Sequence, residues 1–133
     1  MEERISRYIV DRKKDIELLD VKERLIKINP TKDFITSIVG PRRAGKTYLL
    51  YNFIKKKLKE EDYLFVNFEE IEGTLDNFIT KHQEIYGKYP NFLFLDEIQS
   101  LKNWEKEVYR TFERKRFYIF LTGSSSKFLS KEI

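Results

Sequence analysis

Eight consecutive residues, Gly40-Pro41-Arg42-Arg43-Ala44-Gly45-Lys46-Thr47, supply what a polyphosphate group requires. They fit the spacing G-x-x-x-x-G-K-[ST]. A triphosphate concentrates several negative charges in a small volume. Glycines let the backbone wrap closely with its N–H groups turned inward, and a helix starting there adds the positive end of its dipole. Lys46 brings a full charge to the β- and γ-phosphates, and the Thr47 hydroxyl is a ligand for Mg²⁺. With Tyr48 immediately after, residues 40–48 form the candidate nucleotide-binding set.

A second stretch corroborates the first. Phe92-Leu93-Phe94-Leu95 is a short apolar run that ends in two carboxylates, Asp96 and Glu97. Asp96 is placed to hold Mg²⁺, mainly through water, on the side opposite Thr47, and Glu97 to polarise the water that attacks the γ-phosphate. Many strands end in acids, so the run gains weight from its place, 49 positions after Thr47 with one strand and one helix between. Further on, Phe117-Tyr118-Ile119-Phe120-Leu121 runs into Thr122-Gly123-Ser124-Ser125-Ser126. A polar side chain at that tip could lie between Asp96 and the phosphate loop and touch the γ-phosphate or the attacking water. Thr122 is the first candidate for this sensor role and Ser124 the second; the alternative is that these hydroxyls only cap a helix starting near Lys127. The candidate catalytic residues are therefore Lys46, Glu97 and Thr122, the metal ligands Thr47 and Asp96, and the cofactors ATP and Mg²⁺.

These groups work only if secondary structure brings them together. Residues 34–39 read as a buried strand, rich in β-branched and aromatic residues, that feeds the phosphate loop. Leu49, Leu50, Phe53, Ile54 and Leu58 then recur at helical spacing to about Lys59. Residues 63–68 read as a second strand, with Glu69 and Glu70 at the end that faces the ligand crevice in an open α/β sheet. A helix over 74–86 follows, with Gly87 suited to its C-cap. His82 lies inside it without a metal-ligand neighbour, a surface or packing residue. Asn103 reads as the N-cap of a third helix carrying Trp104, Val108 and Phe112, closed by Arg114-Lys115-Arg116, where cations suit the dipole. At the N-terminus, Ile5, Ile9, Ile16, Leu19, Leu25 and Ile28 predict a helical leader over about 3–28, broken at Asn29-Pro30. Such a leader could cover a sheet edge or reach a partner; packing is favoured. The division expected is a leader over 1–30 and an α/β core over 31–133.

Composition sets outer bounds. At 133 residues, 41% of them hydrophobic, the chain is one domain at most and can bury a core. It has no cysteine, which suits a reducing cytoplasmic setting and leaves no disulfide framework. No apolar run approaches the ~18 residues of a membrane span. A formal charge of +4, from 26 basic and 22 acidic side chains, permits a nucleic-acid partner without arguing for one.

Taken together, residues 40–47, Leu95-Asp96-Glu97-Ile98-Gln99, Trp104 and residues 121–126 resemble archaeal-type ATPases of the AAA+ and STAND-like P-loop group. The resemblance spans roughly residues 24–133. It implies an α/β fold, a three-layer P-loop NTPase with a mostly parallel sheet in the order 2-3-4-1, adenine as the base, and hydrolysis of ATP. It also implies a fifth strand beside the first, a helical lid and further C-terminal domains, none of which falls within these residues. On that footing the chain looks like the N-terminal part of a longer ATPase, truncated after the sensor strand. Its arginine finger would come from a missing domain or from a partner in an oligomer, and binding should survive the truncation better than turnover. Three alternatives stay open at this point: a helicase fragment, since Asp96-Glu97-Ile98-Gln99 also fits a DExx box; a nucleotide-binding switch with little turnover; and a small-molecule kinase.

Overall fold

The computed structural model describes residues 2–20, 29–40 and 45–124. Its centre is a sheet of four parallel strands: β1 (Thr36–Gly40), β2 (Tyr63–Asn67), β3 (Phe92–Asp96) and β4 (Tyr118–Ser124). Their spatial order is β1-β4-β3-β2, the expected 2-3-4-1 read from the other edge. Parallel neighbours cannot be joined by tight turns, so helices carry the chain back each time. Here α2 (Lys46–Lys57), α3 (Leu75–Tyr86) and α4 (Trp104–Glu113) follow β1, β2 and β3. The chain thus adopts the α/β architecture of a P-loop NTPase.

The two faces of the sheet differ in chemistry because successive side chains alternate sides. Leu64, Val66, Leu93, Leu95, Ile119 and Leu121 pack on one side with Phe78 and Ile79 of α3 and with Trp104 and Val108 of α4. Tyr63, Phe65, Phe94 and Phe120 pack on the other, against Leu50, Tyr51 and Ile54 of α2. The face with two helices is aliphatic. The face with one helix is aromatic, and larger side chains fill the layer. Phe94 and Phe120, cross-strand neighbours, stack with ring centroids 5.0 Å apart, and Phe53 of α2 sits 5.7–6.1 Å from Phe92, Phe94 and Phe120. Trp104 is a buried anchor on the aliphatic side.

The leader forms α1 (Glu2–Leu18), shorter than its periodicity suggests; Leu19 and Asp20 are not helical, and Leu25 and Ile28 lie outside the described residues. As the packing expectation has it, this helix covers a sheet edge, but not the outer edge of β1. It lies instead along the opposite edge, against β2 and α3, with Ile5 and Ile9 in the aliphatic layer and Ile16 in the aromatic one. The outer edge of β1 has no strand partner among the described residues, and Phe34, expected in that strand, precedes it and is 72% exposed. The carbonyls that end α1 are capped from α2: Lys55 Nζ donates to Glu17 O at 3.0 Å and to Leu19 O.

The stripe that α1 buries contains a lysine. Lys13 Nζ donates to Glu60 O at 2.5 Å, lies 2.8 Å from His82 Nε2, and rests over the rings of Tyr86 (3.8 Å) and Tyr63 (4.7 Å). His82 is fully buried, not a surface residue; its Nδ1 is 3.0 Å from Lys88 O. Burial pulls the Lys13 ammonium from 10.5 down to about 7, against the opposing charges of Glu60, Glu61 and Asp62. Burial, aided by Lys13, holds His82 at about 4 instead of 6.5.

Elsewhere the helix ends follow their sequence signals. Thr74 caps α3 by accepting the Asn77 N–H at 3.2 Å, and Gly87, at φ 77°, ends it. Asn103 does occupy the N-cap of α4, but in a left-handed conformation and without a side-chain capping bond. That helix stops at Glu113, before the basic triplet, and Arg114 pairs with Asp76 at 2.8 Å.

Two stability measurements test this packing. Phe94→Ala should cost about 3–5 kcal/mol in a urea melt, as for other buried aromatics. Between pH about 7 and 10.5 an unfolded Lys13 holds a proton that the folded one releases, so stability should climb with pH there. His82 has the same sign between about 4 and 6.5. The urea midpoint should therefore rise from pH 7 to 9, and Lys13→Met should flatten that rise.

Candidate functional site

Because all four strands run the same way, their C-terminal tips gather at one end of the sheet. There Gly40 pairs with Ser124 and Asn67 with Asp96. The turn from β1 into α2 ends at Gly45, whose φ of 83° and ψ of 12° are left-handed values that a side chain resists. Gly45 O already accepts the Leu49 N–H at 3.0 Å, so α2 starts immediately and its first residues are Lys46 and Thr47. Pro41, Arg42, Arg43 and Ala44 lie outside the described residues, as does the side chain of Ser124.

Lys46 is buried. Its ammonium donates to Gly123 O at 2.6 Å and Gly40 O at 3.0 Å, the tips of β4 and β1. A lysine has three N–H donors, so with these two bonds one is left, among the described residues, for a phosphate oxygen. Tyr48 points outward, half exposed, its ring set edge-on to that of Tyr51 at 5.5 Å.

Asp96 is the convergence point. The Thr47 hydroxyl lies 3.0 and 3.2 Å from its two oxygens. Thr122 Oγ1 donates to Oδ1, and Asn67 Nδ2 donates to Oδ2 at 3.3 Å. Burial pushes the Asp96 carboxyl up from its ordinary value, while the Thr122 and Thr47 hydroxyls pull it back. A fully buried carboxylate beside a threonine hydroxyl is an oxygen-only donor pair, and charge compensation there favours a hard cation. Mg²⁺ fits: it takes one or two protein oxygens and keeps water and phosphate oxygens as its other ligands. Among the described residues there is no cluster of three or more metal-binding side chains.

Glu97, next along, has φ 49° and ψ 53°, left-handed values rare for a residue with a side chain. The turn is held by its N–H, which donates to Thr122 Oγ1 at 3.0 Å, and its Oε1 accepts Gln99 Nε2 at 2.8 Å. Backbone strain of this kind collects where a site demands it. Thr122, fully buried, thus spends its hydroxyl on Asp96 and on the Glu97 turn, a positioning arrangement.

Sequence reasoning missed Asn67. Its signal was position, since the C-terminal residue of a parallel strand borders the crevice. Glu70, at the crevice end of β2, turns to α1, where Tyr8 and Arg12 engage it. The Glu69 N–H bonds Asn67 Oδ1 at 2.9 Å. No helix among the described residues is long and apolar enough to cross a membrane.

Comparison with known proteins agrees with this geometry. A family model described as an AAA domain matches residues 32–133. An uncharacterised protein of Methanocaldococcus jannaschii is 44% identical over 113 residues, covering 81% of this chain and 24% of that protein. An uncharacterised protein of Haemophilus influenzae is 31% identical over 121 residues (84% and 30%), and a second from M. jannaschii is 28% identical over 133 (92% and 28%). The chain therefore spans less than a third of the length of these relatives. Among solved structures, that of C. elegans PCH-2 aligns with 92% of this chain and 36% of its own, at 16% identity and a TM-score of 0.44. With the family match covering most of its length, the chain belongs to the AAA domain family and is a nucleotide-binding AAA-type domain.

Proposed function

We propose that the chain binds ATP and hydrolyses it in a Mg²⁺-dependent reaction, as the nucleotide core of a larger AAA-type ATPase. The observation that carries this reading is the approach of Thr47 to Asp96, which joins the start of α2 to the tip of β3 across 49 positions of sequence.

In this reading residues 40–48 cradle the phosphates, and the spare Lys46 N–H meets a β- or γ-phosphate oxygen. Thr47 and Asp96 would hold the metal, and Mg²⁺ bound there would supply positive charge to offset the negative charge of the phosphates. Glu97 accepts a proton from the attacking water, whose oxygen bonds to the γ-phosphorus as the bond to the β–γ bridging oxygen breaks, leaving ADP and inorganic phosphate. Gln99 orients the Glu97 carboxylate, and Thr122 fixes Asp96 and the Glu97 turn together; a sensor contact falls to Thr122 or Ser124. An arginine from a further domain, a partner or a second subunit completes the charge compensation, and the setting is the cytoplasm. A second reading, a nucleotide-binding switch with slow turnover, draws support from the Gln99 bond, which occupies one oxygen of the Glu97 carboxylate.

Nucleotide binding and phosphate release measured side by side test the proposal. Lys46→Ala should lose ATP binding. Glu97→Gln should keep binding and lose turnover by about 10²–10⁴-fold, the usual contribution of a general base. A folded wild type that binds no nucleotide would refute the reading; binding without turnover in every version would leave the switch. Glu97→Gly adds a stability test: relief of the left-handed backbone should raise stability by about 1 kcal/mol while turnover disappears.

A further inference from the structure

We propose that α1 is built into the nucleotide site, with Tyr8 a positioning residue that sets the tip of β2 against Asp96. The inference rests on the reading of Asp96 as the metal-holding carboxylate.

Among the described residues β2 is an edge strand, and its outward backbone groups have no ladder partner there. At its last residue, the Asn67 N–H donates to Tyr8 Oη at 2.9 Å, and the Tyr8 O–H in turn donates to Glu70 Oε1 at 2.7 Å. These bonds close a turn in which Glu70 N–H donates to Asn67 O and Glu69 N–H to Asn67 Oδ1, both at 2.9 Å. With Oδ1 engaged, the amide nitrogen of Asn67 faces Asp96 Oδ2. The Tyr8 hydroxyl thus fixes the backbone of a residue whose side chain touches the metal-holding carboxylate.

The connection has a second arm. Arg12, one turn along α1, lies 3.3 Å from Glu70 through Nε and donates through Nη2 to Tyr51 Oη on α2, the helix that begins with Lys46. Its guanidinium lies over the Phe65 ring at 4.9 Å. Covering a sheet edge requires only apolar side chains, which Ile5, Ile9 and Ile16 already provide. The Tyr8 and Arg12 bonds are additional, and they end on the last residue of β2, on Glu70 just beyond it, and on Tyr51 within α2, the helix that begins at Lys46.

The test uses the 133-residue chain as wild type, Tyr8→Phe, Asn67→Ala and the double variant. Tyr8→Phe keeps the ring that sits edge-on to Phe78 and removes only the oxygen. ADP affinity is measured with EDTA and across a Mg²⁺ titration, together with the carboxyl-carbon NMR resonance of Asp96 in the nucleotide-free chain. Tyr8→Phe, which removes both bonds of the hydroxyl, should lower the melting temperature modestly while the chain stays folded, leave the metal-free affinity nearly unchanged, raise the half-saturating Mg²⁺ about 2–10-fold, and shift the Asp96 resonance. The double variant should be no worse than Asn67→Ala alone, because Tyr8 acts through Asn67. An unchanged Mg²⁺ requirement and resonance in Tyr8→Phe, or additive losses in the double variant, overturn the inference alone. A wild type whose ADP affinity ignores Mg²⁺ overturns the reading of the site, and the inference with it.

Discussion

A carboxylate taken out of water must be given hydrogen bonds or a cation, and the upper end of this molecule is arranged around meeting that requirement for Asp96. The donors come from three elements distant in sequence: Thr47 from α2, Asn67 from β2 and Thr122 from β4. Each also fixes something else. Thr47 follows Lys46, Asn67 carries the turn toward α1, and Thr122 holds the N–H of Glu97 in its left-handed turn. Removing the charge would loosen three elements together, so the groups that would contact a nucleotide share one anchor.

The sheet makes that convergence possible by presenting four strand tips at one end, and its two unlike faces keep it rigid. On the aromatic side Phe53 reaches rings on two strands, so α2, which begins at the phosphate loop, is fixed along its length as well as at its start. A helix held only by its first turn would let Lys46 and Thr47 drift from β4 and β3.

Much of this was legible in the sequence. The phosphate loop has a strict spacing, the strand ending in Asp96-Glu97 is apolar throughout, and Gly87 and Thr74 are local signals acting on their own helix. The division into strands and helices followed from periodicity, and the strand order from family resemblance. What escaped was long-range. Lys13 reads as a polar interruption of an apolar stripe, because the groups that accept it, His82 and the rings of Tyr63 and Tyr86, lie far along the chain. The edge that α1 covers could not be read from α1, since an apolar stripe does not name its partner. Asn67 reads as an ordinary strand end until Asp96 is beside it. Phe34 has the composition of a strand residue, yet no element packs over it among the described residues.

The lysine in that stripe gives α1 a property that purely apolar docking would lack. An ammonium in water holds its proton firmly at neutral pH, whereas the same group seated against His82 is close to giving it up. Seating the helix near neutrality therefore expels part of a proton into solvent, and lifting it takes that fraction back. Attachment of the N-terminal helix is in this sense a proton-exchange reaction, with an enthalpy that depends on the buffer that receives the proton.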